Sequence, residues 1–193
     1  DEYRARVKMA PNVGLFAGHT WARKRVMGLA NREPSAAELD QMRALVATSM
    51  RQGALGLATG LEYVPASFAK TEEVIELAKV AAHYGGRYVT HLRDEGPGLV
   101  DSVAEALRIG REAGLPVLIN HHKATGAAQF GWTVKSLALI DAAVATGQRV
   151  GHDLYPYTAF STYSDVMFPA WALADGAEAF AGRVDDPATR ARL

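Results

Sequence analysis

Two histidines stand at matching points of two similar stretches. Tyr88-Val89-Thr90-His91-Leu92-Arg93-Asp94-Glu95 is a short apolar run that ends in His91 and passes at once into charge. Val117-Leu118-Ile119-Asn120-His121-His122-Lys123 has the same shape and ends in His121. Imidazole is a common zinc ligand, and a catalytic zinc uses few protein ligands and keeps one position open for water. Two ligands on neighbouring strand ends can reach one ion, because adjacent strands lie about 4.8 Å apart. The competing reading of each residue is a hydrogen-bonded core histidine. The matched positions favour a metal.

Other residue types nearby extend that chemistry. Lys123 and Arg93 each follow a candidate ligand by two positions, the same face of an extended chain. A cation there could hold an anionic substrate group, bidentately for arginine; the alternative is a surface charge or an ion pair such as Arg93 with Glu95. Asp94 and Glu95 suit the start of the next helix. Tyr63 and Tyr155 could donate a hydrogen bond to a substrate, or could simply satisfy a buried hydroxyl. Asp153 is either a general base or a turn residue. His122 should point to the opposite side of its strand and be structural, like His152, and His19 reads as a solvated loop histidine. The phosphate-cradling patterns GxxxxGK[ST] and GxGxxG are absent, as is the GxSxG elbow.

The elements that must carry these residues alternate. The polar stretch Asp1 to Ala10 reads as part of a preceding helix, Val13–Ala17 is a short strand candidate, and the basic stretch Thr20 to Pro34 reads as a loop. Ser35 with Glu38 forms a capping box, and Leu39, Met42, Leu45, Val46 and Met50 keep helical spacing up to Gly53. Ala54–Ala58 is a strand, followed by a loop with Gly60 and Pro65. Thr71 caps a helix that Gly85-Gly86 ends. Arg87–Thr90 is the strand that leads to His91. Asp101 caps a helix that ends at Gly114, Val117–Asn120 is the strand that leads to His121, and Thr133 opens a helix that ends at Gly147. Arg149–Leu154 is the last strand candidate; an aromatic loop and a polar helix follow it. Strand and helix alternation at the length of a βαβ unit predicts a parallel sheet with helices outside. Polar residues at nearly every strand end favour an α/β fold of the (β/α)8 barrel type, where those ends converge on one face. A whole barrel takes about 250 residues, so the 193 residues predict an incomplete one.

Composition narrows the function. Lys plus Arg and Asp plus Glu both number 21, so the net charge is zero, and basic residues are scattered. Nothing asks for nucleic acid or an anionic membrane as partner. There is no cysteine, so disulfides and thiolate ligands are excluded within the chain. No apolar run is long enough to span a membrane and no secretory leader is visible, so a cytoplasmic protein is expected. The chain starts without Met and stops in a charged tail, which suggests that both ends are cut.

Taken together, the runs Gly53–Pro65, Tyr88–Glu95, Asn120–Lys123 and Asp153–Tyr157 resemble the N-acyl-D-amino-acid deacylases (D-aminoacylases) of the amidohydrolase superfamily. Gly18-His19 and Val26-Met27-Gly28 fit as well, with Trp21 where a smaller residue is expected. The resemblance covers about residues 10 to 160, and the order and spacing of the motifs carry it. It implies zinc at the mouth of a barrel, with His91 as the metal ligand ending the fifth strand and His121 that of the sixth. It also implies substrate contacts by Tyr63, Lys123 and Tyr155, with Lys123 near the substrate carboxylate. The implied reaction is hydrolysis of an N-acyl-D-amino acid, a small-molecule substrate. The family's His-x-His, its metal-binding cysteine and its catalytic aspartate have no counterpart here, and the aspartate would lie beyond Leu193. Residues 1–193 are therefore expected to be the central part of the barrel domain, about strands three to seven, with no second domain. By themselves they are expected to be inactive, to hold zinc weakly and to associate through exposed end strands. The alternatives are a cyclic amidase of the dihydroorotase or hydantoinase kind, and a non-catalytic α/β module that binds a carboxylate.

Overall fold

The structure is a computed structural model that describes Arg6 and residues 11–193. The polar segment 1–10, read as part of a preceding helix, otherwise lies outside the described residues. Among the described residues, five strands form one sheet in the order β1-β2-β3-β4-β5. They are β1 (Ala17–Gly18), β2 (Gly56–Gly60), β3 (Arg87–His91), β4 (Val117–Ile119) and β5 (Val150–His152). Every neighbouring pair is parallel. Parallel neighbours need a crossover, and helices supply it each time. These are α1 (His19–Met27) and α2 (Ala36–Arg51), then α3 (Thr71–His83), α4 (Leu99–Ala113) and α5 (Thr133–Ala145). The last strand leads through two short 3-10 turns into α6 (Ala177–Asp185) and α7 (Pro187–Arg190).

Side chains alternate across the sheet, so one parity feeds the core. Leu57, Tyr88, Val117 and Ile119 are buried together with Val74, Leu77, Val103 and Ile109 from α3 and α4. Polar residues on that parity are satisfied in a chain: Tyr88 Oη and Thr90 Oγ1 each lie 2.8 Å from Thr59 Oγ1. Burial pushes the Tyr88 hydroxyl up to about 12. The opposite parity carries Ala58, Gly60, Val89 and His91. Register brings Gly60 opposite His91 and Ile119 opposite His152, so the carboxyl ends of β2 to β5 are level. Gly56 permits the close approach of β2 to β3: a Cβ there would lie 1.9 Å from the Arg87 carbonyl oxygen.

Several boundaries agree with the sequence reading. The Ser35–Glu38 capping box is present, and Gly114 caps α4 in the left-handed conformation. Others do not. The stretch from Thr20, read as loop, is largely α1. Its buried face is His19, Ala22, Arg23 and Met27, so polar residues occupy half of the inward positions and hide the apolar period. Asp101 lies in the first turn of α4 rather than at its cap, which is Gly98. The amides of Gly96 and Gly98 bond the Asp94 carboxylate and hold the loop that precedes α4. Likewise Lys70, not Thr71, is the N-cap of α3, and the Thr71 hydroxyl donates to Glu105.

Candidate metal centre

His91 is the last residue of β3, and His121 lies two residues past the end of β4. The two rings meet with centroids 4.6 Å apart. His91 Nδ1 faces His121 Nε2 at 3.0 Å. Each outer nitrogen has its own carboxylate: His91 Nε2 lies 2.6 Å from Glu62 Oε2, and His121 Nδ1 lies 3.1 Å from Glu95 Oε1. Two nitrogens bound to one tetrahedral zinc at about 2.0–2.1 Å are roughly 3.3 Å apart. The facing pair is within a few tenths of an ångström of that separation, so these residues fit a zinc ion. Ligand atoms of His91, Glu95 and His121 all lie within 4.8 Å of one another.

The turn that carries His121 is built tightly. Its φ is +39°, a left-handed conformation uncommon for a residue with a side chain. Asp153, just past β5, holds it: its carboxylate accepts from the His121 amide, and its carbonyl accepts from the His122 amide at 2.8 Å. Of the two readings of Asp153, the structure places it as the turn residue. His122 is buried on the other side, bonded to Ser136 of α5 at 2.8 Å. Burial holds its pKa below the ordinary value, with His152 and Lys123 adding to the effect.

A cleft of about 180 Å³ opens over the histidines, lined also by Tyr63, Lys123, Tyr155 and Phe160. Tyr63 lies 4.8 Å from the His91 ring, and its hydroxyl is 3.0 Å from Thr162 Oγ1. Burial raises the Tyr63 pKa, which keeps the hydroxyl protonated at neutral pH. Lys123 Nζ lies 2.5 Å from Glu95 Oε2 and sits 5.5 Å from the Tyr155 ring. Among the described residues, the Tyr155 hydroxyl is buried with no hydrogen-bond partner. A buried phenol normally finds one, and the same residue lines the cleft. Beyond Lys123 the cleft borders an apolar chamber of about 490 Å³ with Phe130, Leu154 and Phe160 in its walls.

Arg93 is not part of this wall. Its guanidinium pairs with Glu105 at 2.8 Å and donates to the carbonyls of Ser67 and Ala69. It braces the turn behind the loop that carries Glu62 and Tyr63, and its acidic partner is Glu105, not Glu95. His19, read as a solvated loop residue, is wholly buried and lies 2.8 Å from Glu73 Oε1.

No family model matches the chain. It is 44% identical over 153 residues to a D-aminoacylase of Alcaligenes xylosoxydans xylosoxydans, which covers 79% of this chain and 31% of that protein. A crystal structure of D-aminoacylase, described as defining a novel subset of amidohydrolases, matches with a TM-score of 0.74 at 44% identity. That match covers 77% of this chain and 31% of the other. An N-acyl-D-glutamate deacylase from Bordetella bronchiseptica matches with a TM-score of 0.76 at 34% identity, over 81% of this chain and 33% of the other. That structure is a complex with zinc and a phosphonate mimic of the tetrahedral intermediate. Over the matched stretch, the chain belongs to the D-aminoacylase family of amidohydrolases. It spans about a third of the length of these family members. The five parallel strands with outer helices are accordingly part of the family's α/β barrel.

Glu62 and Glu95 are the site residues that sequence reasoning missed. Glu95 reads as a favourable charge at a helix start, yet the helix begins at Leu99, and Glu95 is only 6% exposed. The signal available was its burial beside Lys123, which no local pattern carries. Glu62 lay within a motif run, but only contact with His91 gives it a role.

Proposed function

We propose that the protein to which these residues belong hydrolyses the amide bond of N-acyl-D-amino acids, using zinc held in part by His91 and His121. The observation that carries this reading is the facing pair His91 Nδ1 and His121 Nε2, set beside a cation and an unpartnered tyrosine hydroxyl in one cleft. The family names and the zinc in the Bordetella deacylase complex support it. Residues 1–193 are read as the central part of the barrel domain.

A bound zinc supplies Lewis acidity toward the acyl oxygen and lowers the pKa of a bound water. The chain's own residues bind and orient. Lys123 offers an ammonium donor to the substrate carboxylate while Glu95 holds the side chain in place. Tyr155 donates its free hydroxyl, and Tyr63 closes the other wall over His91. Asp153 is bound to the His121 amide, so it holds a ligand in place rather than moving protons. No helix of the described residues is long and apolar enough to cross a membrane; a cytoplasmic location is part of the proposal.

The test uses the full-length protein, assayed on N-acetyl-D-amino acids, their L-enantiomers and dihydroorotate, before and after a chelator. Turnover of the D-substrates that is lost on chelation and restored by zinc is expected. Metal-free protein with undiminished activity, or His91→Ala with the parent rate, refutes the reading. Turnover of the cyclic amide alone would assign the site to a cyclic amidase.

A further inference from the structure

Each histidine of the centre carries a carboxylate on the nitrogen turned away from the other ring. A neutral imidazole has one N–H and one lone pair. A carboxylate can only accept, so Glu62 at His91 Nε2 and Glu95 at His121 Nδ1 both favour the proton on the outer nitrogen. The Lys123 ammonium also lies 3.2 Å from His121 Nδ1 and pulls the other way, but its protons have nearer or equal acceptors in Glu95 Oε2 at 2.5 Å and the His121 carbonyl at 3.2 Å. The inner nitrogens, 3.0 Å apart, are then left with lone pairs aimed at each other. Two lone pairs at that distance repel unless a positive centre lies between them. The carboxylates thus fix the tautomers that a metal between the rings requires.

Glu95 does more than Glu62. Its Oε1 holds His121 and its Oε2 holds Lys123 at 2.5 Å, and the residue is only 6% exposed. One rigid, buried carboxylate therefore spans from a metal-facing ring to the cation that faces the substrate. Among the described residues, Glu62 has no such second partner, and its side chain is 32% exposed at the cleft. The rival arrangement is Glu95 as a third direct ligand, since its oxygens lie within ligand range of both rings.

We propose that Glu62 and Glu95 are positioning residues, which orient the two metal-facing nitrogens, and that Glu95 also sets the position of Lys123 relative to the metal. The inference rests on the deacylase reading of the site, and the experiment separates the two. In the full-length protein, Glu62→Ala, Glu62→Gln, Glu95→Ala and Glu95→Gln are compared with the parent. Zinc affinity is measured by competition with a chromogenic chelator, coordination by the visible spectrum of the cobalt(II)-loaded protein, and kinetics on N-acetyl-D-leucine.

Each alanine variant is expected to weaken zinc binding about 10–100-fold. Each glutamine variant keeps an acceptor oxygen and should recover most of that loss, with the cobalt spectrum of the parent. Glu95→Ala should also raise KM, whereas Glu62→Ala should leave KM near the parent value. The glutamine variants preserve volume, so they report even where an alanine variant fails to fold. Alanine variants with parental zinc affinity overturn the proposal. So does Glu95→Gln that binds zinc as weakly as Glu95→Ala with a shifted cobalt spectrum, because that identifies a direct ligand. A parent protein that takes up neither metal removes the deacylase reading itself, whereas a metal-binding parent with indifferent variants removes only this inference.

Discussion

Glu73→Gln should be the most destabilising charge removal in the chain's helical layer. Glu73 on α3 receives two partners from α1. His19 Nε2 lies 2.8 Å from one oxygen, and the Arg23 guanidinium pairs with the other. The side chains of His19 and Arg23 are wholly buried, and that of Glu73 is 3% exposed. Arg23 also donates to the Arg32 carbonyl at 2.6 Å, which ties the end of the following loop to the same point. Glutamine has almost the volume of glutamate, so no cavity forms and the change isolates the charge. It leaves the Arg23 cation buried without a counter-ion, a change that costs about 3–5 kcal/mol when one partner of a buried pair is removed. Arg43–Glu76 provides the internal control. It also joins two helices, yet its side chains are about a third exposed. Glu76→Gln should therefore cost at most about 1 kcal/mol. Urea unfolding followed by far-ultraviolet circular dichroism measures both. A cost for Glu73→Gln no greater than that for Glu76→Gln would show that burial of the Arg23 charge does not set the penalty.

The same carboxylate predicts a pH dependence. Burial raises the Glu73 pKa, but its bonds to His19 and Arg23 outweigh burial and hold it below the ordinary value. A depressed folded pKa contributes stability that is present above the unfolded value of about 4.3 and is lost as pH falls through the folded one. Urea midpoints at pH 7, 4 and 3 should therefore fall for the parent, and fall less steeply for Glu73→Gln. Lys123→Met should reduce kcat/KM for N-acetyl-D-amino acids by about 10–100-fold, the loss of one charge-assisted hydrogen bond of about 1.5–3 kcal/mol. The rate on the corresponding carboxamides should change little; an equal loss on both substrates would remove Lys123 from the carboxylate site. Gly56→Ala places a Cβ 1.9 Å from the Arg87 carbonyl, whereas Gly28→Ala, also at positive φ, meets nothing within 4 Å. Thermal unfolding should show Gly56→Ala as the worse of the two by at least about 1 kcal/mol, and equal losses would mean that backbone conformation alone sets the cost.

The sheet was legible because its signals are local and repeated. Short apolar runs, separated by helical spacing that ends in glycine, recur through α2, α3, α4 and α5. The last four runs became β2 to β5, whereas only Ala17 of the Val13–Ala17 candidate is in a strand. The order β1 to β5 is that of parallel neighbours joined by short crossovers. α1 was not legible for a physical reason. Its inward face is half ionic, and it is stable there because Glu73, fifty residues later, neutralises Arg23. A pattern rule sees His19 and Arg23 as solvent-facing; only the tertiary partner shows otherwise. Glu95 was hidden in the same way, since a buried carboxylate is read from its neighbours and not from its own segment.

The two cations placed two residues past the histidines show where spacing stops being informative. Lys123 and Arg93 bear the same sequence relation to His121 and His91, yet only Lys123 reaches the cleft. The difference lies in where each histidine stands relative to its strand. His91 is the last residue of β3 and still obeys the alternation of the sheet, after which the chain turns outward and carries Arg93 beneath the Ala66–Phe68 turn to Glu105. His121 already lies beyond β4, in a left-handed turn fixed by Asp153, so the rule of alternate faces no longer governs His122 and Lys123. The turn brings Lys123 back until its ammonium is 3.2 Å from the His121 ring nitrogen and 2.5 Å from Glu95. The side chain that completes the cleft is thus set by a backbone turn and a buried carboxylate. For that reason Asp153 and Glu95, neither of which the chemistry names first, decide whether the cation faces the histidine pair or the solvent.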